Sequence, residues 1–311
     1  MTKINSSDNL SQLQTPALET LDGTQTVLFD LAEYGIIHIH GADATKFLQG
    51  QLTSNLEQMS SDQMQLSAQC NPQGRILSLF WIGRGETDSY YLVLPTELVK
   101  DTLNSLKKYA VFYQCSITDG SEQTAILGVS GNCAESSLLS ENIISAADDV
   151  FRVSNDETRA FILIPKDALP SRLRDAQVVA PYAAWLALDI LKGIPRLYQT
   201  SAGAFLPHNL QLPELGGVSF DKGCYTGQEV VARMHYKGKL KSHMRLLIGQ
   251  GSSIPEPLSA IENEQEKKFG EVICATHYQD QQLILALCKD SIENEGKIRC
   301  KSEKTSILTL S

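Results

Sequence analysis

Residues 221–236, DKGCYTGQEVVARMHY, place a cysteine in a setting that suits thiol chemistry. Gly223 and Gly227 flank Cys224, and glycines permit positive φ angles and the close approach of a ligand to the backbone. Lys222 precedes the cysteine by two residues. Its charge, with the positive end of a following helix, favours thiolate over thiol. We therefore predict that Cys224 acts as a nucleophile, a redox group or a metal ligand.

The same stretch predicts the start of a helix. Thr226 is followed three residues later by Glu229 and then by an apolar run, which is the pattern of a capping box. We expect the helix to begin at Gly227 and Cys224 to lie just outside its N-terminus. Taken alone, G-C-x-x-G is equally typical of a glycine-rich turn with an incidental cysteine, so the wider sequence must decide.

The composition is that of a globular protein. The chain has 311 residues, 42% of them hydrophobic and 20% charged, and its net charge of −9 argues against a general nucleic-acid binder. Seven dispersed cysteines without a C-x-x-C pair fit a reducing compartment better than a disulfide framework, so we expect a cytoplasmic protein. No apolar run predicts a signal peptide or a membrane span.

The order of the predicted elements indicates an α+β fold rather than regular βαβ alternation. Residues 1–16 are polar and are expected to carry no chemistry. Helices are predicted after Asp43, from Thr96 to about residue 108, and over residues 182–192 between Pro181 and Gly193. Strands are predicted over residues 34–40, 64–70, 75–82, 90–94, 112–118, 124–129, 150–153, 160–164, 269–276, 283–288 and 307–310.

A histidine pair and a tryptophan could each be either functional or structural. His38 and His40 alternate on one strand and could bind a metal, but no third ligand follows at a suggestive spacing, so a polar strand face is favoured and no metal site is predicted. Helical spacing places Leu188 and Asp189 on the same face as Trp185. A tryptophan in such a pattern is most often a core residue.

The eight residues 222–229, KGCYTGQE, resemble the signature of the YgfZ-type folate-binding proteins, which are related to the glycine-cleavage T-protein, an aminomethyltransferase. Further motifs match in the expected order: GADATKFLQGQLTSN (41–55), CNPQGR (70–75), KKYAVF (107–112) and NLQLPELGGVSFDKGC (209–224). The resemblance covers most of the chain up to about residue 250. Beyond that point it is a match of position only.

The resemblance implies an aminomethyltransferase-like α+β fold with an inserted α/β subdomain and a small C-terminal β-barrel. The implied divisions are a flexible lead (1–20), the first part of a folate-type domain (21–112), the insertion (113–178), the second part of the folate-type domain (179–238) and the barrel (239–311). The predicted strands are compatible with this order.

The resemblance also implies a function, that of a tetrahydrofolate-binding assistance factor for iron–sulfur enzymes such as those that methylthiolate tRNA. Its cofactor would be tetrahydrofolate or a one-carbon derivative, stacked on the aromatic rings of Tyr34 and Trp185. Cys224 would be the functional thiol, with Lys222 and Glu229 beside it. The remaining implied cofactor positions are Asn209, Tyr225, Gln228 and Arg233.

Two departures from the aminomethyltransferase pattern bear on an enzymatic role. Ser78 and Leu79 stand where those relatives carry a carboxylate pair, and neither can act as a carboxylate base. Leu191 stands where they carry a glutamate that binds pterin nitrogens, and Asp189 lies on a different helix face. A folate-dependent one-carbon transferase is therefore kept as an alternative, and an enzymatic activity is less expected.

A second alternative is a tRNA-binding module that uses residues 233–245. This segment contains five Lys or Arg residues, two histidines and no acidic residue. Because positions 237, 239, 241, 243 and 245 alternate with small or apolar residues, a strand here would have one basic face. Such a face is either solvated or meets an anion, which would be a folate polyglutamate tail or RNA phosphates. Few aromatic residues interleave it, which argues against base stacking.

Overall fold

The computed structural model describes residues 26–86, 88–131, 148–175, 179–251, 253–294, 297–301 and 309–310. The predicted lead over residues 1–20 lies outside them, as does Cys133. Within this part of the chain the secondary structure forms two sheets, with helices packed on them.

The larger sheet has ten strands. They are β1 (Val27–Asp30), β2 (Tyr34–His40), β3 (Gln63–Cys70), β4 (Ile76–Arg84), β5 (Ser89–Pro95), β6 (Ser116–Asp119), β7 (Thr124–Ser130), β8 (Asp149–Val153), β9 (Asp156–Pro165) and β10 (Val179–Ala180). Their spatial order is β10-β1-β7-β9-β8-β3-β4-β5-β2-β6. β1 pairs with β10 and β3 with β8 in parallel, and the other pairs are antiparallel.

Five α-helices accompany the sheets in the described residues: α1 (Ala44–Gln49), α2 (Thr96–Ala110), α3 (Leu169–Asp175), α4 (Tyr182–Leu191) and α5 (Gln228–Lys237). Short 3₁₀ helices lie at Leu56–Gln58, Lys166–Ala168, Gln199–Ser201, Pro207–Leu210 and Asp290–Asn294. α4 is apolar on almost every side and is buried from Ala184 to Ile190, as expected of a helix covered by sheet on both sides.

The smaller sheet is antiparallel, with the order β15-β12-β13-β14-β11-β16. Its strands are β11 (Ser242–Gly249), β12 (Ala260–Asn263), β13 (Lys268–Tyr278), β14 (Gln281–Lys289), β15 (Ile298–Cys300) and β16 (Thr309–Leu310). The sheet curls into a half-barrel, and bulges interrupt the pairing of β13 with both neighbours. The predicted α+β class with a small C-terminal β module is confirmed.

Most predicted strands are confirmed, and the differences are local. In the run 112–118 only its last residues join β6, because Val111 and Phe112 are exposed at the end of α2. Strands β6 to β9, which fall within residues 113–178, are hydrogen-bonded into the same sheet as β1 to β5. The division of the chain into an insertion and a two-part domain stays a prediction.

Of the two N-cap residues that the sequence predicts, Asp43 is confirmed in position and Thr96 is wrong. Pro95 occupies the N-cap of α2, so Thr96 is the first helical residue. Asp43 occupies the N-cap of α1, but its side chain makes no cap hydrogen bond. Its carboxylate instead accepts a hydrogen bond of 2.8 Å from the backbone N–H of Gln114, so the long-range contact replaces the local one.

Candidate functional site

The loop that carries Cys224 is fastened to the segment 51–55. The ammonium of Lys222 donates hydrogen bonds of 2.7 Å to the carbonyl oxygens of Leu52 and Ser54. Thr53 completes the contact, since its hydroxyl donates to the carbonyl of Gly217 at 2.6 Å and its own carbonyl accepts from the backbone of the same loop. Two sequence motifs separated by about half of the chain therefore meet at this point.

A third motif, the N-P-Q-G turn at residues 71–74, closes the other side of the loop. Gly227 has a φ of 86°, and a Cβ there would lie 2.5 Å from the carbonyl oxygen of Asn71. Gly74 has a φ of 71°, and a Cβ there would lie 2.9 Å from the Cβ of Val230. Both positions need glycine for backbone conformation and for space. The side chain of Asn71 holds the turn by accepting from Gln73 N and Arg75 N.

The predicted capping box is wrong. α5 begins at Gln228, and its N-cap is Gly227 in a left-handed conformation without a side-chain cap hydrogen bond. A capping box needs an extended N-cap residue whose own side chain faces the first turn. Here glycine takes that position, so Thr226 lies one residue too early and Glu229 is exposed.

Cys224 is exposed on this loop, three residues before the N-cap of α5. Lys222 is half-buried and directs its ammonium at backbone carbonyls. Burial lowers the pKa of Lys222 to about 8, which the nearby carboxylate of Glu57 opposes. The preference of Cys224 for the thiolate form stays a prediction. The geometry adds that the thiol stands on a rigidly held loop and is accessible to a partner.

The other signature residues divide between the interior and the surface. Tyr225 is buried, its hydroxyl has no hydrogen-bond partner among the described residues, and the ammonium of Lys222 lies 5.3 Å from its ring centre. Gln228 is half-buried and Arg233 is exposed. Asn209 accepts a hydrogen bond of 3.0 Å from Leu206 N and so holds its own turn. Their roles toward a cofactor stay predictions.

A small cavity lies beside Tyr34, between the large sheet and the segment after α4. Its volume is about 10 Å³, room for about one water molecule. The lining is apolar and aromatic apart from one guanidinium: Tyr34, Leu66, Leu79, Phe80, Trp81, Val93, Pro95, Pro195, Arg196 and Leu197. A flat ring could enter only if a lining side chain moved.

Arg196 is a residue that the sequence analysis missed. Its guanidinium carbon lies 5.0 Å from the ring centre of Tyr34, 4.9 Å from that of Tyr182 and 5.4 Å from that of Tyr198. Its Nε and Nη1 are buried and have no hydrogen-bond partner in the described chain. A buried guanidinium with free donors is suited to an anionic or carbonyl-bearing ligand. Its only sequence signal was a charge after Pro195, which by itself predicts nothing.

Trp185 does not line this cavity. Its ring is fully buried against Phe29 and Phe161, with ring centres 5.3 and 5.2 Å away. A Cβ at Gly128 would lie 2.7 Å from the ring, which shows how closely β7 covers it. The guanidinium of Arg159 lies 4.8 Å from the ring centre. A ligand would reach the Trp185 ring only after this packing opened, and its predicted folate contact is untested.

Asp189 does not face the cavity as a substitute for a pterin-binding glutamate, because it is paired with Arg159 at 2.6 Å. Arg159 also binds Asp156 at 2.6 Å, and Lys192 binds Asp156 at 2.7 Å. Burial raises the pKa of Asp189 against the opposing effect of Arg159. This network ties the C-terminal end of α4 to β9. Leu191, the position where a glutamate was missing, is exposed.

Ser78 and Leu79 are both buried, and the Ser78 hydroxyl is hydrogen-bonded to that of Thr102. The strand position where the aminomethyltransferases carry carboxylates therefore packs against α2 and lines the cavity with a leucine side chain.

The strand considered for residues 237–245 forms only from Ser242 onward. α5 continues to Lys237, residues 238–241 are not in a strand, and β11 begins at Ser242. Two members of the predicted face also have acidic partners. His243 binds Asp290 at 2.6 Å, and Arg245 binds Glu293 at 2.5 Å. These carboxylates belong to a distant 3₁₀ helix, so local sequence could not reveal them.

No group of three or more His, Cys, Asp and Glu side chains in the described residues is placed to hold a metal ion. His38 and His40 stack with ring centres 5.0 Å apart, and His38 is hydrogen-bonded to Ser89 at 2.8 Å. The six described cysteines are free thiols. None of the described helices combines the length and hydropathy that a membrane crossing requires.

Comparison with known proteins places this fold in a class. Residues 23–155 match the GCVT N-terminal domain. The crystal structure of glycine cleavage system aminomethyltransferase T from Bartonella henselae is similar with a TM-score of 0.67 at 16% identity, over 94% of this chain and 86% of that chain. The chain therefore has the aminomethyltransferase T fold.

A sequence relative narrows the class to a family. The tRNA-modifying protein YgfZ of Hamiltonella defensa is 33% identical over 303 residues, which cover 90% of this chain and 88% of the relative. The chain belongs to the YgfZ family. The resemblance drawn from residues 222–229 and the accompanying motifs is confirmed.

Proposed function

We propose that this protein binds tetrahydrofolate and, through the thiol of Cys224, assists iron–sulfur enzymes, among them enzymes that modify tRNA. The observation that carries the proposal is the exposure of Cys224 on a loop clamped by Lys222 and by the close contact of Gly227 with Asn71. Such a thiol can ligate iron transiently or exchange a disulfide with a client protein. A cytoplasmic location is part of the proposal.

Support for a role in tRNA modification comes from the name of the Hamiltonella relative, and a tRNA contact belongs to the same proposal. Because the described residues lack a metal-binding group, any iron would be held jointly by Cys224 and a client. The protein would then act on its clients by direct contact, with the Cys224 loop at the interface.

The residues around the cavity suit tetrahydrofolate in donor chemistry. Arg196 would offer Nε–H and Nη1–H to acceptor atoms of the cofactor, and the rings of Tyr34 and Trp81 would flank it. Since the cavity has room for about one water, binding would require displacement of a lining side chain. When bound, tetrahydrofolate supplies a carrier for one-carbon groups.

The transferase alternative is less well supported. Proton transfer at the folate amine needs a base within hydrogen-bond reach, and the residues that line the cavity contain no carboxylate. Leu79 lies at one of the two positions where the aminomethyltransferases carry a carboxylate, and it cannot act as a base. The hydroxyl of Ser78, at the other position, is hydrogen-bonded to Thr102. Amine-dependent turnover of methylene-tetrahydrofolate by the purified protein would restore this alternative.

The cofactor is tested by an anaerobic titration with tetrahydrofolate, followed by tryptophan fluorescence and calorimetry. The chain has two tryptophans, Trp81 beside the cavity and Trp185 behind it, so Trp81→Phe and Trp185→Phe separate their signals. We expect saturable quenching that is lost in Trp81→Phe if the cofactor enters the cavity, and in Trp185→Phe if the α4 packing opens.

Arg196→Gln should weaken binding at least tenfold, whereas Arg84→Gln, which removes an arginine stacked on Tyr90, should not. Absence of binding in the wild type would reject the cofactor.

The thiol is tested in cells that lack the protein, by measuring methylthiolated tRNA with mass spectrometry. Cys224→Ser should fail to restore the modification while the purified variant keeps its thermal stability. Cys115→Ser, which removes a half-buried thiol elsewhere, is the matched control. Full restoration by Cys224→Ser would reject the thiol role.

A further inference from the structure

Three aromatic rings meet where α5 ends, two of them from consecutive residues of the helix and one from the loop before it. Phe220 lies before the signature loop, and its ring stacks on His235 with a centre distance of 3.8 Å and an angle of 18°. Tyr236 packs edge-on against both, with ring centres 4.9 Å from His235 and 6.2 Å from Phe220. The side chain of Tyr236 is 69% exposed. Exposed apolar rings that cluster beside polar residues mark interaction sites, whereas single exposed rings do not.

Four basic residues lie close to His235 and Tyr236 in the chain. Arg233, Lys237, Lys239 and Lys241 are exposed, and none of them has an ion-pair partner within the described ranges. Helical spacing places Arg233 beside both Tyr236 and Lys237, which follow it by three and four residues in α5. Glu229 also lies beside Arg233, one turn nearer the N-terminus. We call Phe220, His235, Tyr236 and these four basic residues the aromatic–basic surface.

A buried histidine lies behind the stacked rings. The ring centre of His208 is 6.2 Å from that of Phe220 and 6.1 Å from that of His235. The side chain is only 7% exposed, and neither ring nitrogen has a hydrogen-bond partner among the residues that the structure describes. Burial lowers the pKa of His208, so the ring is neutral at pH 7 and offers one donor and one acceptor. An unsatisfied buried group of this kind calls for an explanation, and a bound polar ligand supplies one.

We infer that the aromatic–basic surface binds an unpaired stretch of RNA, with a base stacked on Tyr236 and phosphates held by the four basic residues. Proteins that bind single strands combine a basic track with aromatic rings on which bases stack. A folate polyglutamate tail would use the charges but not the rings. This inference rests on the tRNA part of the proposed function and gives that contact a location, which the linear sequence hid because Phe220 is 15 residues away from His235.

The test is fluorescence anisotropy with two labelled probes, an unmodified tRNA transcript and a single-stranded RNA 12-mer. The full-length Cys224→Ser protein is used without folate, so that failure of the thiol or cofactor proposals cannot affect the result. We expect Tyr236→Ala to weaken binding of both probes about tenfold. Lys237→Gln with Lys239→Gln should lower the slope of log Kd against log salt by about 0.7 for each lysine that contacts the 12-mer.

The chain provides a matched control at the end of α2, where Lys107, Lys108 and the 47% exposed Tyr109 repeat the same residue types. Tyr109→Ala and Lys107→Gln with Lys108→Gln should leave affinity and salt slope unchanged. Three results would each overturn the inference. The first is an equal loss of affinity in the two sets of variants, and the second is no binding of either probe at 50 mM salt. The third is displacement of both probes by poly-γ-glutamate at a lower concentration than by unlabelled RNA. Circular dichroism and melting of every variant exclude unfolding as the cause of a loss.

Discussion

The ammonium of Lys222 donates a hydrogen bond of 2.7 Å to the carbonyl of Ser54, although 168 residues separate the two in the chain. A second hydrogen bond of the same length reaches Leu52. The lysine beside the signature cysteine is therefore a clamp between two loops. Its ammonium group is hydrogen-bonded to backbone carbonyls, and these bonds fix the position of the loop that carries Cys224.

Replacing Lys222 with methionine keeps the aliphatic stem and removes both hydrogen bonds. We expect the free energy of unfolding to fall by about 2 kcal/mol, because hydrogen bonds to charged groups are worth about 1.5–3 kcal/mol and the two carbonyls can recover part of this from water. Urea denaturation monitored by circular dichroism measures the change. Lys239→Met removes an exposed lysine and should change stability by no more than about 0.5 kcal/mol. Equal effects of the two substitutions would contradict the clamp.

A pair of glycines in the same loop provides a second, backbone prediction. Gly227→Ala should destabilise the protein by about 2 kcal/mol or more, because it combines a φ of 86° with a Cβ position 2.5 Å from Asn71 O. At Gly223 nothing lies within 4 Å of an added Cβ, and φ is not in the left-handed region. Gly223→Ala should therefore be nearly neutral. Thermal unfolding of the two variants checks the difference, and a neutral Gly227→Ala would show that the loop does not need this contact.

The sequence predicted those features that local pattern determines. Alternation and turn chemistry located β2, β3, β4 and β5, and Pro181 with Gly193 bounded α4 within one residue. Family motifs identified the loop of Cys224. In each case the signal lies within about ten residues of the feature.

The sequence did not predict the features that depend on residues far apart in the chain. Arg196 contacts Tyr34, which belongs to β2, and His235 stacks on Phe220, which belongs to the loop before α5. No local sequence pattern signals either contact. The basic face of residues 237–245 did not form because α5 extends to Lys237 and because Asp290 and Glu293, from elsewhere in the chain, pair with His243 and Arg245. The predicted capping box failed because a left-handed glycine took the N-cap position.

Among the cysteines that the structure describes, thiol alkylation should single out Cys224. Burial raises the pKa of Cys70, Cys274 and Cys288 to about 12, so these thiols are both protonated and inaccessible at pH 8. Iodoacetamide added to the native protein should label Cys224 first, as mass spectrometry of tryptic peptides would reveal. Denatured protein, in which all sites react, is the reference. Faster labelling of any of the three buried thiols in native protein would refute the burial described for them.

The ion pairs of Asp156 should make the stability of the protein sensitive to acid, because they belong to the network that holds α4 against β9. Burial alone would raise the pKa of Asp156, but Arg159 and Lys192 outweigh burial and lower the pKa to about 2. The native state then binds fewer protons than the unfolded state between pH 4 and pH 2. The corresponding stability, about 2 kcal/mol, is complete above pH 4 and is lost as the pH falls through 2.

Urea denaturation of the wild type and of Asp156→Asn between pH 2 and pH 6 isolates this contribution, because the amide cannot titrate. We expect the two stability curves to differ by about 2 kcal/mol above pH 4 and to converge toward pH 2. Asp62→Asn breaks the exposed ion pair with Arg152 and should cost less than about 1 kcal/mol, since solvent screens that pair. If the Asp156→Asn curve ran parallel to the wild type over the whole range, the pKa of Asp156 would not be lowered in the folded protein.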